Sequence, residues 1–187
     1  MLTEEFIDEL YQLLTSINDT INVVCFYGTK GSFAVGADLK TLQEFTATDA
    51  KYFSIKGNNL FKYIEKADFI SIAEIDGYCM GGGIDFAASC DFRFATADSY
   101  FSHPGSNLGF ITGFGGTARL PRISNLSFIR ELFYTGNIFT SSDLKKSNFL
   151  YEIFDNYDLM NERMRDFTKY FINLNNNTIR EIKLQLA

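Results

Sequence analysis

The chain has 187 residues, 46% of them hydrophobic, which is enough for one globular domain with a buried core but hardly enough for two. Its formal charge of -6 and pI near 4.8 exclude an extended nucleic-acid surface, because phosphate binding needs clustered Lys and Arg. With His103 as the only histidine, a zinc site of several His ligands is excluded, and we expect no metal.

The first predicted elements are a helix, a strand and a second helix. Thr3 can cap a helix that carries acidic residues in its first turn. Apolar residues then recur at helical spacing: Phe6, Leu10, Leu13, Leu14 and Ile17. The apolar run 21–27 predicts a strand, and the glycine-rich stretch 28–40 leads towards a helix over about 48–66.

The same alternation continues along the chain. Residues 69–75 predict a strand, a short helix follows the glycine triplet 81–83, and residues 92–96 predict another strand. A glycine-rich loop comes next, and the part from about 125 to 187 is helical. Strands that alternate with helices, with glycine loops at strand ends, indicate a single α/β domain whose ligand loops gather at one edge.

The cysteines and the N-terminus bear on the compartment. Cys25, Cys79 and Cys90 are an odd number without CxxC spacing, each in an apolar context typical of a buried residue. Residues 1–10 do not resemble a signal peptide, and no apolar run approaches the ~20 residues of a membrane span. We expect a soluble cytoplasmic protein without a membrane partner.

Two glycine-rich loops carry the functional signal. "GADLK" (36–40) and "GGGID" (81–85) each lead from a strand into a helix, whose first amides lack an intrahelical partner and favour an anion. Three consecutive glycines suggest backbone that comes very close to a ligand; the alternative is that they only form a tight turn. The stretch after the first strand lacks the GxGxxG fingerprint, and neither loop ends in Gly-Lys-Ser/Thr, so no nucleotide-binding fold is indicated.

Three longer stretches resemble the enoyl-CoA hydratase/isomerase, or crotonase, superfamily. They are "FAVGADLK" (33–40), "IDGYCMGGGIDFAASCDFRFATADSYF" (75–101) and "LGFITGFGGTARLPR" (108–122), in the family's order and roughly its spacing. The resemblance implies a crotonase-like fold of repeated ββα units and an acyl-CoA or enoyl-CoA substrate. It implies no cofactor beyond the coenzyme A of that substrate, and a thioester oxygen held by two backbone amides that stabilise an enolate.

Carried over to this sequence, the two amides belong to Ala37 and Gly82. The resemblance places the substrate-binding positions at Ala37, Asp38, Lys40, Gly81, Gly82 and Gly113. Lys40 matches a lysine near the CoA nucleotide, and the alternative is an ordinary solvated lysine. Asp91 and Arg93 match a structural motif, and we interpret them as scaffold.

The catalytic acids depart from the family. Its hydratases use two glutamates to position and deprotonate a water, and here these positions hold Asp85 and Gly105. Asp85 is one methylene shorter, and a displacement of about 1 Å can cost a catalytic group ~100-fold. Gly105 keeps no acid at all, so two-carboxylate hydration is in doubt. The alternative is that Asp85 is only a capping or structural acid at the start of its helix.

His103 lies two residues before Gly105 on the same loop. An imidazole is suited to acid/base work, and in extended backbone positions 103 and 105 face the same side, so His103 could replace the missing glutamate. The alternative is a surface or subunit-contact residue. Other polar residues near the loop are possible accessories, each more simply explained without a role in catalysis: Ser102, Ser106, Asn107 and Thr112.

Both ends are shorter than in typical family members, without the first hairpin and the last C-terminal helices. The apolar residues Ile179, Ile182, Leu184 and Leu186 of the final helix call for a partner surface, and we expect a homo-oligomer, a trimer or hexamer in the family.

Three functions stay open. The first is an acyl-CoA enzyme with catalytic residues Ala37, Gly82, Asp85, His103 and Gly105, in which Asp85 is the acid/base for hydration or double-bond isomerisation. The second is a catalytically silent acyl-CoA-binding homologue. The third is a thioester hydrolase or decarboxylase that uses the same two amides.

Overall fold

The structure is a computed structural model that describes residues 1–18, 20–29 and 31–186. Its α-helices are α1 (Glu4–Thr15), α2 (Leu39–Glu44), α3 (Ala47–Lys66), α4 (Gly82–Ser89), α5 (Gly116–Ile123), α6 (Leu126–Thr135), α7 (Ser141–Lys146), α8 (Tyr157–Phe167) and α9 (Asn176–Leu186). Short 3₁₀ helices cover Pro104–Leu108 and Thr168–Tyr170. The strands are β1 (Val23–Tyr27), β2 (Ser32–Ala34), β3 (Ile70–Ile75), β4 (Tyr78–Met80), β5 (Phe92–Thr96), β6 (Tyr100–Ser102), β7 (Phe139–Thr140) and β8 (Glu152–Phe154).

The strands form two sheets of four strands each. One sheet has the order β1-β3-β5-β8 with all neighbours parallel. The other has the order β2-β4-β6-β7, in which only the last pair is antiparallel. Each of β1, β3 and β5 is followed by a short strand of the other sheet and then by a helix. This order confirms the predicted α/β class and its ββα units.

The first helix is capped as predicted but buries a different face. The Thr3 hydroxyl accepts a hydrogen bond from the Phe6 amide at 3.1 Å. Ile7 and Leu14 are buried, whereas the side chains of Phe6 and Leu13 are 37% and 61% exposed. The predicted apolar face was therefore partly wrong, because these apolar residues spread over more than one face of the helix.

The boundaries of several elements differ from the predicted ones, because capping residues or short strands determine where these elements begin. The helix predicted from about residue 48 begins at Ala47, because Thr46 and Asp49 form a capping box. The strand predicted over 21–27 begins at Val23. The strands β2 and β4 are three residues long and adjoin glycine loops, so their alternating pattern is too short to read from the residues alone.

Stacked aromatic rings join α3 to α4 beneath the glycine loops. The ring of Phe61 stacks on Phe86 with 5.3 Å between centroids and meets Phe114 edge-on at 5.7 Å. Phe53 contacts the same Phe114 ring at 5.1 Å. Such aromatic pairs contribute about 0.5–1.5 kcal/mol each beyond area burial. They hold the start of α4 and the segment before α5 in fixed positions.

Buried charges tie distant segments together. The Asp91 Oδ2 atom accepts hydrogen bonds from the Ser71 amide at 2.7 Å and from Lys183 Nζ at 2.8 Å. The Arg93 guanidinium donates to the Phe149 carbonyl at 2.7 Å. These contacts fit the interpretation of Asp91 and Arg93 as scaffold.

The final helix α9 is only partly covered. Ile179 and Lys183 are buried against α3 and its C-terminal end, whereas Ile182 and Leu186 are 52% and 83% exposed. The partner surface expected for this helix stays a prediction.

Candidate active site

A cavity of about 330 Å³ lies where the two glycine loops meet. This volume is within the range of small-ligand sites. The backbone of both loops and the segment 103–105 form one part of its wall. Apolar side chains form much of the rest: Val35, Leu39, Leu42, Phe45, Phe53, Leu108, Phe110 and Phe114. The cavity therefore suits a ligand that is largely apolar next to one polar group.

Gly36 brings the two loops into contact. Its φ is +77°, and a Cβ there would lie 3.2 Å from the Gly82 amide nitrogen and 3.1 Å from the Met80 carbonyl oxygen. A side chain at this position is disfavoured by its backbone conformation and would push against the second loop. The close approach sets Ala37, the next residue, beside the start of α4.

Ala37 and Gly82 both line the cavity, and their backbone amides are the two that the resemblance assigns to the thioester oxygen. The Gly36 carbonyl accepts from the Leu2 amide at 2.8 Å, and in a trans peptide the Ala37 N–H then points to the opposite side. Across the described parts of the chain, the Ala37 amide donates to no backbone carbonyl. Gly82 is the first residue of α4, where amides lack an intrahelical acceptor.

The three glycines 81–83 serve different purposes. Gly81 has a φ of +53° and open space within 4 Å of its Cβ position. A Cβ on Gly82 would lie 2.9 Å from the Phe114 ring, and one on Gly83 only 2.0 Å from the Ala34 carbonyl oxygen. Packing against protein atoms therefore explains two of the glycines, a reason that the sequence interpretation, which weighed a ligand against a tight turn, did not include.

Of three other predicted substrate-binding residues, one lies on the cavity wall and two are not among its described residues. Asp38 caps α2, and its carboxylate accepts from the Lys40 amide at 3.2 Å. The Lys40 side chain is exposed in the first turn of that helix. Gly113 lines the cavity, and its carbonyl accepts from Ser54 Oγ at 2.6 Å. Asp38 and Gly113 thus make structural contacts, and Lys40 faces solvent.

Asp85 is fully buried in the first turn of α4. Its carboxylate pairs with side chains outside the helix, and the helix N-cap is Gly81, so the capping alternative does not describe it. Asp85 is not among the described residues that line the cavity. The expectation that Asp85 itself touches the substrate does not fit this position.

His103 is the partner of Asp85. Its Nε2 atom lies 3.3 Å from Asp85 Oδ1, and the residue is only 2% exposed. Its ring packs on Phe133 with 4.6 Å between centroids. The alternative that His103 is a surface residue was therefore wrong. His103 lines the cavity, and it is the one titratable side chain among the described residues that do so.

Thr112 and Gly116 complete the surroundings of Asp85. The Thr112 hydroxyl donates to Asp85 Oδ2 and accepts from the Phe114 amide at 3.2 Å. A Cβ on Gly116 would lie 1.8 Å from Asp85 Oδ1, so only glycine leaves room for the carboxylate. Sequence reasoning gave Thr112 only an accessory place and missed Gly116, because both contacts depend on how the loop folds back onto α4.

Gly105 does not leave an empty site for an acid. It is buried, and a Cβ there would lie 2.9 Å from the Phe110 carbonyl oxygen. None of the described residues that line the cavity is Asp or Glu. The arrangement thus presents one base and two amides, without a second carboxylate.

A second cavity of about 380 Å³ lies beside the first. The two share part of their walls, including His103, Gly105 and Phe110. The far side of the second cavity is formed by α6 through Ile129 and Phe133. It extends the apolar space on the side of His103 away from the glycine loops.

The cysteines do not contribute to this chemistry. Burial raises the pKa of both Cys25, which lies beside Glu74, and Cys90 to about 12. Burial also raises the pKa of Cys79 strongly. Thiolate nucleophiles are therefore disfavoured. Within residues 1–18, 20–29 and 31–186, no group of three or more His, Cys, Asp or Glu side chains could hold a metal. No helix in these ranges is long and apolar enough to span a bilayer.

The sequence is similar to known acyl-CoA enzymes. It matches the sequence model of the family described as enoyl-CoA hydratase/isomerase over residues 1–186. A crotonyl-CoA hydratase of Syntrophomonas wolfei is 33% identical over 146 residues, which cover 76% of this chain and 56% of that protein. A short-chain-enoyl-CoA hydratase of Clostridium acetobutylicum is 29% identical, over 77% of this chain and 55% of that protein. The chain thus spans about half the length of these curated relatives.

The fold is similar as well. The crystal structure of an enoyl-CoA hydratase from Thermoplasma volcanium superposes with a TM-score of 0.87 at 27% identity, covering 97% of this chain and 72% of that one. This likeness confirms the predicted crotonase-like fold.

Proposed function

The chain belongs to the enoyl-CoA hydratase/isomerase family, and we propose that it acts on an acyl-CoA thioester through an enolate intermediate. The observation that carries this proposal is the meeting of Ala37 and Gly82 at one wall of the cavity. Their amides are suited to hold the thioester oxygen while a proton leaves the neighbouring carbon. Backbone donors fixed in advance stabilise such developing charge by about 3 kcal/mol each.

Proton transfer falls to the pair formed by Asp85 and His103, which lies beside the two amides. His103 is the titratable group among the described residues of the cavity wall, and Asp85 contacts it from behind. Position 105 provides no second acid. Hydration as the family performs it uses two carboxylates on one water, whereas double-bond isomerisation needs one base that removes a proton and returns it to another carbon. We therefore favour isomerisation and α-proton exchange over hydration.

The substrate is an acyl-CoA with a short, largely apolar acyl group. Much of the cavity wall is apolar, and its volume of about 330 Å³ accommodates a short chain beside the thioester, while the adjoining cavity of about 380 Å³ extends the apolar space. The names of the two relatives, which act on crotonyl-CoA and short-chain enoyl-CoA, point the same way. The exposed Lys40 in the first turn of α2 is our candidate for binding a phosphate of the coenzyme. Assembly as a homo-oligomer remains part of the proposal.

A catalytically silent acyl-CoA-binding homologue is the second candidate. The observation that favours it is the contact of Gly105 with Phe110, which fills the place of the second family acid. Thioester hydrolysis or decarboxylation would use the same two amides with other accessory groups.

Deuterium incorporation tests the proposal. The purified protein is incubated in deuterated water with but-3-enoyl-CoA, crotonyl-CoA and butyryl-CoA, and the thioesters are followed by mass spectrometry. We expect conversion of but-3-enoyl-CoA to crotonyl-CoA, and deuterium in the acyl group. Binding of all three thioesters without exchange or conversion would favour the silent homologue, and release of free CoA would favour a hydrolase.

A further inference from the structure

We propose that His103 is the catalytic base of this chain, acting through its Nδ1 atom, and that Asp85 is a positioning residue that acts only through His103. This assignment rests on the proposed enolate chemistry and deepens it. It gives the imidazole of His103, two positions before Gly105, the role that carboxylates have in family hydratases.

The first argument is access. Asp85 is 0% exposed and is not among the described residues on the cavity wall, whereas His103 is on the walls of both cavities. A base must come within hydrogen-bond reach of the proton that it removes. His103 lies on the cavity wall and Asp85 lies behind it, so His103 is the nearer of the two to a ligand in the cavity.

The second argument is the difference in hydrogen bonding between the two ring nitrogens of His103. Nε2 lies 3.3 Å from Asp85 Oδ1, while Nδ1 is a buried polar atom without a hydrogen-bond partner among the described residues. In a neutral imidazole one nitrogen donates and the other accepts. A carboxylate only accepts, so the proton resides on Nε2 and the lone pair on Nδ1. An unpaired buried acceptor is costly, and a substrate proton is a fitting partner for it.

The third argument is that Asp85 is held as an acceptor from both sides. The Phe114 amide donates to the Thr112 hydroxyl at 3.2 Å, which directs the hydroxyl hydrogen to Asp85 Oδ2. His103 occupies the other oxygen. The chain of donors from Phe114 to Asp85 therefore fixes the carboxylate and, through it, the tautomer of His103.

The proton balance is simple. His103 Nδ1 takes a proton from the α-carbon or γ-carbon of the thioester, and the electron pair of that C–H bond moves to the thioester oxygen between the amides of Ala37 and Gly82. The resulting imidazolium is stabilised by Asp85. When the imidazolium proton exchanges with solvent before a proton returns to the same carbon, the thioester gains deuterium, and return of a proton to the other carbon of the allylic system gives isomerisation.

The tautomer is directly measurable because His103 is the only histidine. Protein labelled with ¹⁵N-histidine gives the two nitrogen signals of one ring in a long-range ¹H–¹⁵N spectrum. At mildly alkaline pH we expect Nε2 to carry the hydrogen and Nδ1 to be unprotonated. In Asp85→Asn the amide NH₂ can donate to Nε2, so we expect a population with the hydrogen on Nδ1. A wild-type ring protonated on Nδ1 would overturn the assignment without any activity measurement.

Exchange into butyryl-CoA then tests the roles. In His103→Gln we expect a loss of 10²–10⁴-fold with butyryl-CoA binding retained, and in Asp85→Asn a loss of at least 10²-fold. Glu74→Gln is the matched control, since it neutralises a buried carboxylate on β3 away from the cavity, and it keeps wild-type exchange.

The outcomes separate the two proposals. Exchange retained in His103→Gln would overturn the base assignment and leave the enolate proposal intact. Equal exchange in Asp85→Asn and wild type would overturn the positioning role. A wild-type protein that binds butyryl-CoA and but-3-enoyl-CoA but moves no proton in either would overturn the proposed function, and the base assignment with it.

Discussion

The Nε2 atom of His103 lies 3.3 Å from the Oδ1 atom of Asp85, in residues that are 2% and 0% exposed. The two residues are eighteen positions apart and reach each other from the start of α4 and from the end of β6. Their contact joins an imidazole on the cavity wall to a buried carboxylate behind it.

Removal of the Thr112 hydroxyl should weaken both stability and catalysis. Thr112→Val leaves one oxygen of the buried Asp85 carboxylate without its donor, which costs about 1–3 kcal/mol of unfolding free energy. Urea unfolding and butyryl-CoA exchange measure the two effects. Thr112→Ser keeps the hydroxyl and should retain most of both. If Thr112→Val matched wild type in exchange, the hydroxyl would have no part in orienting Asp85.

Gly36→Ala should disrupt the two-amide site. The new Cβ would press on the Gly82 amide nitrogen at 3.2 Å, and losing one oxyanion donor costs about 10²–10³-fold in rate. Gly31→Ala is the matched control, because Gly31 has a φ of +70° but nothing within 4 Å of its Cβ position. Both variants should lose similar stability from the backbone conformation, and only Gly36→Ala should lose exchange. Equal deuterium exchange in Gly36→Ala and Gly31→Ala would argue against the two-amide site.

Lys183→Met should destabilise the fold by roughly 3 kcal/mol, because it removes the partner of a largely buried carboxylate. Lys183 Nζ contacts Asp91 and the carbonyls of Ile64 and Phe69, at 2.8, 3.0 and 3.0 Å. Lys169→Met, which breaks an exposed pair with Asp166, should cost much less, because solvent screens an exposed ion pair. Similar losses in the two variants, measured by urea unfolding, would contradict the role of Lys183 as the anchor of α9.

The buried Glu74 should make stability fall as pH rises. Burial raises the pKa of Glu74 in the folded protein, so above the pKa of the unfolded chain the folded state holds more protons. The contribution of Glu74 to the free energy of unfolding is therefore greatest below the unfolded pKa of 4.5, and it declines as pH rises through the higher pKa of the folded state. Glu74→Gln should be more stable than wild type at pH 7, with a smaller difference near pH 4. An equal difference at both pH values would contradict this titration.

The sequence predicted the long helices and strands and the family, but not the side-chain contacts that form the site. The helix over 47–66 and the strands β1, β3 and β5 follow from caps and apolar runs, which are local signals. The short strands β2 and β4 do not, because three residues are too few for a period. The repeated ββα order was available only through the resemblance.

At the site, the residues could be predicted from the sequence, but the contacts between them could not. The glycine loops indicated Ala37 and Gly82 by resemblance, yet the reason for Gly83 in α4 is that the Ala34 carbonyl of β2 occupies the place of a Cβ. The pairing of His103 with Asp85 depends on the path of a loop that carries no regular pattern. Such long-range contacts are set by packing and leave no periodic trace in the sequence.

The incorporation of deuterium from solvent into butyryl-CoA is the most direct measurement of the central claim, that two amides and one base form and reprotonate an enolate. We expect exchange at the α-carbon that is catalysed by wild-type protein and lost in Gly36→Ala. Tight binding of butyryl-CoA with no deuterium in the recovered thioester would contradict it.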